Sequence, residues 1–222
     1  MITGGTKGIG RATVLKFLSE GFDVVTCARK QPDLDDLVRM TEKDFSGVRI
    51  WVEKADLSKK EEVLGFAEFV KALNRPVDVL LNNTGAFIPG SVHNEEEGNL
   101  ELMIETNLYS AYYLTRALIE GMIEAKSGHV FTTGSIAGIQ AYDNGGSYSI
   151  SKFALLGFTK ALREEMKPHG VRVTSILPGA TYTASWEGAD LPESRFMKAS
   201  DIADAIYSAN ALSPQTVVEE II

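Results

Sequence analysis

Residues 3–22 read TGGTKGIGRATVLKFLSEGF, with four glycines among the first eight positions and an amphipathic run after them. Val14, Leu15, Phe17 and Leu18 recur at helical spacing, and Gly21 supplies a stop. A glycine-rich turn that opens straight into a helix is a phosphate-binding arrangement. Free N–H groups and the positive end of the helix dipole face the anion, and the missing side chains let it approach. Outward from this turn the pattern repeats. Asp23–Ala28, Val48–Glu53, Val77–Asn82, His129–Gly134 and Val171–Leu177 are short, β-rich apolar runs. Their near-continuous Val, Ile and Leu predict strands buried on both faces of a parallel sheet. Helical stretches separate them, among them Glu61–Leu73, Asn99–Ala125 and Ser147–Met166. Alternating strand and helix predicts an α/β fold: one Rossmann-type domain over residues 1–222, a doubly wound parallel sheet of about seven strands with helices on both faces.

Composition narrows the class. At 222 residues with 44% hydrophobic and 23% charged positions, the chain has the makeup of a soluble globular enzyme with a sizeable core. The net charge of −8 disfavours nucleic acid and anionic membrane as partners. The single cysteine, Cys27, leaves no internal disulfide and fits a reducing, cytoplasmic setting. His93, His129 and His169 are far apart in sequence and near no second candidate ligand, so no metal site is expected. Only Met1–Thr3 are available for the first, central strand, and the chain stops inside TVVEEII, a last strand. Residues beyond both ends are therefore expected.

If the glycine turn holds a pyrophosphate, the end of the second strand meets the adenosine ribose, where an acid selects NAD. Here that strand ends in Ala28, Arg29 and Lys30, with no acid. A guanidinium suits a 2′-phosphate, and Lys7 in the glycine loop can approach from the other side, so NADP(H) is the favoured cofactor. The plainer alternative is that Arg29 and Lys30 form a solvated loop pair. Asp56, in the turn with Leu57 after the third strand, is placed to cap the next helix through Ser58 or to touch the adenine. Asn83, Thr84 and Gly85 end the fourth strand, where such residues form a turn and also border the crevice.

Tyr148 and Lys152, four residues apart at the start of an apolar helix, lie on one face a turn apart. A phenol titrates near pH 10, too high for easy proton transfer, and a neighbouring ammonium stabilises the phenolate and lowers that value. Ser135, 13 residues earlier at a strand end, can hydrogen-bond a substrate oxygen. Each feature alone has an ordinary reading: a surface helix pair, and a strand-end cap.

Together these motifs resemble the short-chain dehydrogenase/reductase superfamily over essentially the whole chain. The likeness rests on Thr3–Gly10, on Asn82–Asn83–Thr84–Gly85 with threonine in place of alanine, on Asn107, Ser135, Tyr148 and Lys152, and on Pro178, Gly179 and Thr183. The resemblance implies that Tyr148 donates a proton to a carbonyl oxygen as hydride arrives, that Lys152 lowers its pKa and binds the nicotinamide ribose, and that Ser135 holds the carbonyl. It implies further that Asn107 positions a relay water. Gly4, Thr6, Gly8, Ile9 and Gly10 would line the dinucleotide, and Pro178, Gly179, Thr181 and Thr183 would close over the nicotinamide.

Residues 182–200 form the expected substrate lid, with Trp186, Leu191, Phe196 and Met197; Phe87, Ile139 and Tyr142 are placed to wall an apolar pocket with them. Most of these side chains are expected to pack the lid onto the body, with Trp186 turned toward substrate. The expected reaction is reduction of a ketone or aldehyde. A 3-oxoacyl-[acyl carrier protein] reductase is the rival, weakened because an acidic carrier wants a basic patch that this acidic chain offers only at Lys167 and His169. An NADPH-binding sensor without turnover is a lesser alternative. Tyr109, Tyr112, Tyr113, Phe153, Leu156 and Phe158 cannot all face the sheet, so a homodimer or homotetramer through helices 100–125 and 148–166 is expected.

Overall fold

A computed structural model describes residues 1–181 and 192–222. Strands β1 (Ile2–Thr3), β2 (Val24–Ala28), β3 (Ile50–Lys54), β4 (Val79–Asn82), β5 (His129–Thr133), β6 (Arg172–Ile176) and β7 (Glu220–Ile221) join in one sheet. Its order is β3-β2-β1-β4-β5-β6-β7, and every pairing is parallel. The seven-stranded, doubly wound Rossmann sheet expected from the alternating pattern is present. The chain runs outward in one direction through β2 and β3 and in the other through β4 to β7, so the order switches between β1 and β4. Open α/β sheets bind ligands beyond the carboxyl ends of the strands at such a switch.

Because side chains alternate across a strand, each strand feeds two cores. On one face Val25, Cys27, Leu80, Val130 and Val173 meet α3 (Lys60–Ala72), α5 (Ser110–Ala125) and α6 (Gly146–Met166). On the other, Ile2, Val24, Leu81, Phe131 and Ile176 meet α1 (Gly8–Ser19), α2 (Gln31–Asp44) and α7 (Ala199–Ala211). The apolar stretch Asn99–Ala125, expected as one helix, is instead α4 (Asn99–Ile104), a π-helical turn (Glu105–Tyr109) and then α5. Of the six surplus side chains on these helices, Leu156 is buried and Tyr113 and Phe158 pack against the first core. Tyr109, Tyr112 and Phe153 remain exposed, joined by Leu102 and Ile150.

Candidate active site

At the switch point the ends of β1 and β4 are tied by one threonine. Thr3 Oγ1 accepts from the backbone N–H of Asn83 and of Thr84, both at 2.9 Å. Asn83 returns its side chain to the glycine turn, Nδ2 donating to Thr3 O at 3.0 Å. The turn between β1 and α1 then packs against this tie. Gly8 takes the left-handed conformation at φ +52°, which a side chain makes costly. A Cβ on Gly10 would lie 2.2 Å from Gly4 O and 2.6 Å from Asn83 Nδ2, so only glycine fits there. Lys7 occupies the N-cap of α1 and no side chain caps it. The first N–H groups of α1, among them those of Gly8 and Ile9, have no intrahelical partner and are available to an anion at the positive end of the dipole. Thr6 is half-buried on the same turn.

The neighbouring strand ends complete the crevice. Ala28, half-buried, closes β2 and is followed by the exposed Arg29 and Lys30. Lys7 is exposed and stands 3.6 Å from Asp33 in the first turn of α2. Lys7 thus reaches across to the first turn of α2, with a carboxylate partner that the sequence alone does not supply. Asp56 Oδ1 accepts from Ser58 N at 3.2 Å and from Ser58 Oγ at 2.9 Å, the turn role expected of it, while Leu57 is buried. Gly85 is exposed beyond β4.

A second cluster forms at the end of β5. Ser135 ends the strand's extension and its Oγ accepts from Ala137 N at 3.1 Å, while Ile136 N donates to Pro178 O at 3.1 Å. Opposite, the first turns of α6 present Tyr148 and Lys152. Lys152 is 4% exposed, and its Nζ donates to Thr133 O at 2.9 Å. Burial lowers its pKa to about 8. The same Nζ stands 5.7 Å from the Tyr148 ring centroid. Burial holds the Tyr148 phenol above its ordinary value, and a hydrogen bond from Ser135 opposes this. The Lys152 ammonium, bonded to Thr133 O, stands near the ring with the sign of charge that favours a phenolate.

Asn107 sits in the π-helical turn, 1% exposed, and its side chain is almost fully used. Oδ1 accepts from Ala86 N at 2.7 Å, and Nδ2 donates to Ala86 O at 3.0 Å and to Ser151 Oγ at 2.8 Å. It thus clamps the chain after β4 to α6. A Cβ on Gly85 would lie 3.2 Å from Asn107 Oδ1 and 3.5 Å from Lys152 Nζ, so these three residues meet at one point.

After β6, Pro178 is buried, Gly179 lies against Met197, and Thr181 donates from Oγ1 to Gly179 O at 3.2 Å. Thr181 and Met197 form a parallel bridge, which brings residue 197 back beside the chain that follows β6. Thr183, Trp186 and Leu191 lie outside the described residues. Around Tyr148 the surface is apolar: Phe87 packs edge-on against it with ring centroids 4.9 Å apart, and Ile136, Ile139 and Tyr142 are exposed nearby in sequence. Burial and the neighbouring Tyr148 both raise the Tyr142 phenol. Among the described residues no group of His, Cys, Asp or Glu could hold a metal ion, and no helix is long and apolar enough to cross a membrane.

The sequence model of the short chain dehydrogenase family matches residues 1–193. This chain belongs to the short-chain dehydrogenase family. Among relatives of this dehydrogenase is the sepiapterin reductase of Chlorobaculum tepidum, 30% identical, covering 100% of this chain and 93% of that protein. An NADP-dependent 3-hydroxy acid dehydrogenase of Escherichia coli K12 is also 30% identical, covering 100% and 86%. Among solved structures, a metagenomic short-chain oxidoreductase in complex with NADP is 30% identical with a TM-score of 0.86, covering 100% of this chain and 93% of that one. The protein is therefore an oxidoreductase with the fold of its family.

Residues outside the sequence reading also build the site. Thr3 supplies the β1–β4 tie, Thr133 the carbonyl that holds Lys152, and Asp33 the partner of Lys7. Thr133 and Asp33 stand in no motif, and Thr3, which begins the glycine motif, carried no role of its own there.

Proposed function

We propose that this protein is an NADPH-dependent carbonyl reductase, with Tyr148 as proton donor, Ser135 holding the carbonyl oxygen, and Lys152 as the neighbouring cation. The observation that carries this reading is the meeting of Ser135, Tyr148 and Lys152 at the end of β5, beside the turn between β1 and α1. The cradle around Gly10 and the uncapped start of α1 fit a dinucleotide pyrophosphate, and the end of β2 lacks the acid that would select NAD. Bound there, NADPH supplies the hydride that turns a carbonyl carbon into an alcohol carbon.

The chain supplies the proton and the geometry. A phenol held above its ordinary value keeps its proton at neutral pH, as a general acid must. Ser135 donates to the carbonyl oxygen, and Tyr148 transfers its phenolic proton to that oxygen as the C–H bond forms. The resulting phenolate lies beside an ammonium that is still protonated at pH 7. Lys7 and Arg29 are assigned to the 2′-phosphate, and Pro178, Gly179, Thr181 and Thr183 to the nicotinamide. Asn107 keeps the chain after β4 in place and has one lone pair of Oδ1 left for a water beside Lys152. Phe87, Ile139 and Tyr142 favour an apolar or aryl carbonyl, and residues 182–200, with Trp186, are assigned as its lid.

The decisive test is oxidation of NADPH and of NADH by the purified protein. The carbonyl panel holds small diketones, aryl ketones, a pterin and a 3-oxoacyl thioester, with Tyr148→Phe alongside. NADPH-dependent turnover that falls about 100-fold or more in Tyr148→Phe is expected. Tight NADPH binding without turnover on any carbonyl would sink the reading in favour of a sensor. The exposed Leu102, Tyr109, Tyr112, Ile150 and Phe153 further support a homodimer or homotetramer through α4, α5 and α6. Light scattering at micromolar concentration is expected to give two or four chains; a monomer would refute the assembly.

A further inference from the structure

The chain between β4 and α4 carries Phe87 at one end and the run His93–Gly98 at the other. This loop lies on the segment that leads into α6. Gly90 N donates to Asn144 O at 3.0 Å, Gly146 N donates to Gly90 O at 2.8 Å, and Gly90 and Gly145 form a parallel bridge. The backbones touch: a Cβ on Gly146 would lie 2.9 Å from Val92 N and 3.0 Å from Gly90 O.

From this loop Glu95 reaches the helix itself. Its Oε2 accepts from Ser147 N at 3.4 Å, and its Oε1 accepts from Ser147 Oγ. The N-cap of α6 is Gly145, which has no side chain to cap with. Glu95 therefore satisfies an open N–H from another loop and sets a carboxylate at the positive end of a 21-residue helix. The next residue after Ser147 is Tyr148, against which Phe87 from the same loop packs edge-on. Two contacts from one loop thus converge on a single turn of α6.

We propose that Glu95 is a positioning residue: its carboxylate latches the 87–98 loop onto the first turn of α6, holds the Phe87 ring against Tyr148, and so sets the direction in which the phenol points. The catalytic consequence rests on Tyr148 being the proton donor. The latch itself does not, since it is a set of contacts between two segments.

The experiment compares Glu95→Ala, Glu95→Gln, Ser147→Ala and the Glu95→Ala/Ser147→Ala double variant in the full chain. Turnover of an aryl ketone is measured with saturating NADPH, NADPH affinity by its fluorescence, and amide hydrogen exchange across residues 87–98 and 144–149. Glu95→Ala is expected to lower kcat about 10- to 100-fold through a misdirected proton donor, leave NADPH affinity unchanged, and speed exchange in both segments. Glu95→Gln keeps an acceptor for Ser147 and restores most of the rate. The double variant loses no more than the worse single one, as expected of two residues in one contact. Unchanged exchange in Glu95→Ala, or a rate loss that Glu95→Gln does not rescue, would overturn the proposal. If the wild-type protein reduces no carbonyl, the reductase reading falls, while the exchange comparison still decides the latch.

Discussion

Lys152 predicts that this protein is less stable for carrying its own site. Its ammonium is buried, and its pKa falls from 10.5 to about 8. At about 1.4 kcal/mol per pH unit, folding around the charged form therefore costs about 3 kcal/mol at pH 7. The sign follows from the depressed folded value. Below about pH 8 the ammonium is charged in both states and the whole cost applies, and between pH 8 and 10.5 the cost shrinks because the folded form has already lost its proton. Lys152→Met keeps most of the buried stem and removes the charge, at the loss of the bond to Thr133 O, about 1 kcal/mol. The variant is expected to be about 2 kcal/mol more stable than wild type at pH 7, which for a chain of this size raises Tm by about 4–8 °C. Urea unfolding at fixed protein concentration, at pH 7 and pH 9.5, measures this. Wild type should recover about 2 kcal/mol relative to the variant between the two. A variant no more stable at pH 7, or a gain that does not shrink by pH 9.5, would refute the claim that the buried charge is what costs stability.

Other parts of the chain make further commitments. His129 is buried, bonded through Nε2 to Thr174 Oγ1 at 2.7 Å, and burial lowers its pKa to about 3. Its depressed value means stability that is complete above about pH 6.5 and lost as pH falls toward 3, so wild type should lose about 2–3 kcal/mol more than His129→Gln between pH 7 and pH 4.5. Parallel denaturation profiles for the two proteins would show that the imidazole is not buried neutral. Arg29→Asp should weaken NADPH about 10- to 100-fold through loss of a charge-assisted pair, with NADH little affected. Equal effects on both nucleotides, by fluorescence titration, would remove Arg29 from the 2′-phosphate.

Much of the fold is visible in the sequence because strands buried on both faces leave continuous runs such as Val79–Asn82, whose every residue is buried. The helix α2 was not visible. Only Leu34, Leu37 and Thr41 are buried on it, and the rest of Gln31–Asp44 reads as a polar loop, although Pro32 in its first turn is a start signal. Tyr148 and Lys152 are legible because their spacing is local. The phenol's environment is not, since it depends on Ser135 and on burial from several elements. Glu95 is the extreme case: it lies 52 residues from Ser147 and inside an acidic run that reads as a solvated face. Lys7 was legible as a cation in the glycine turn, but its pairing with Asp33 depends on where α2 begins.

The π-helical turn at Glu105–Tyr109 bears on how this gene can drift. Such a turn holds one residue more than the α-helical path it interrupts. Losing one residue there would close the bulge into a continuous α-helix and leave α4 and α5 in nearly their present register, so Met103 would stay in the core. What the deletion would remove is the bulge that carries Asn107 to Ala86 and Ser151. Deletions are therefore expected to be excluded from these five positions for the sake of that one side chain, even where Leu108 or the exposed Glu105 is free to vary.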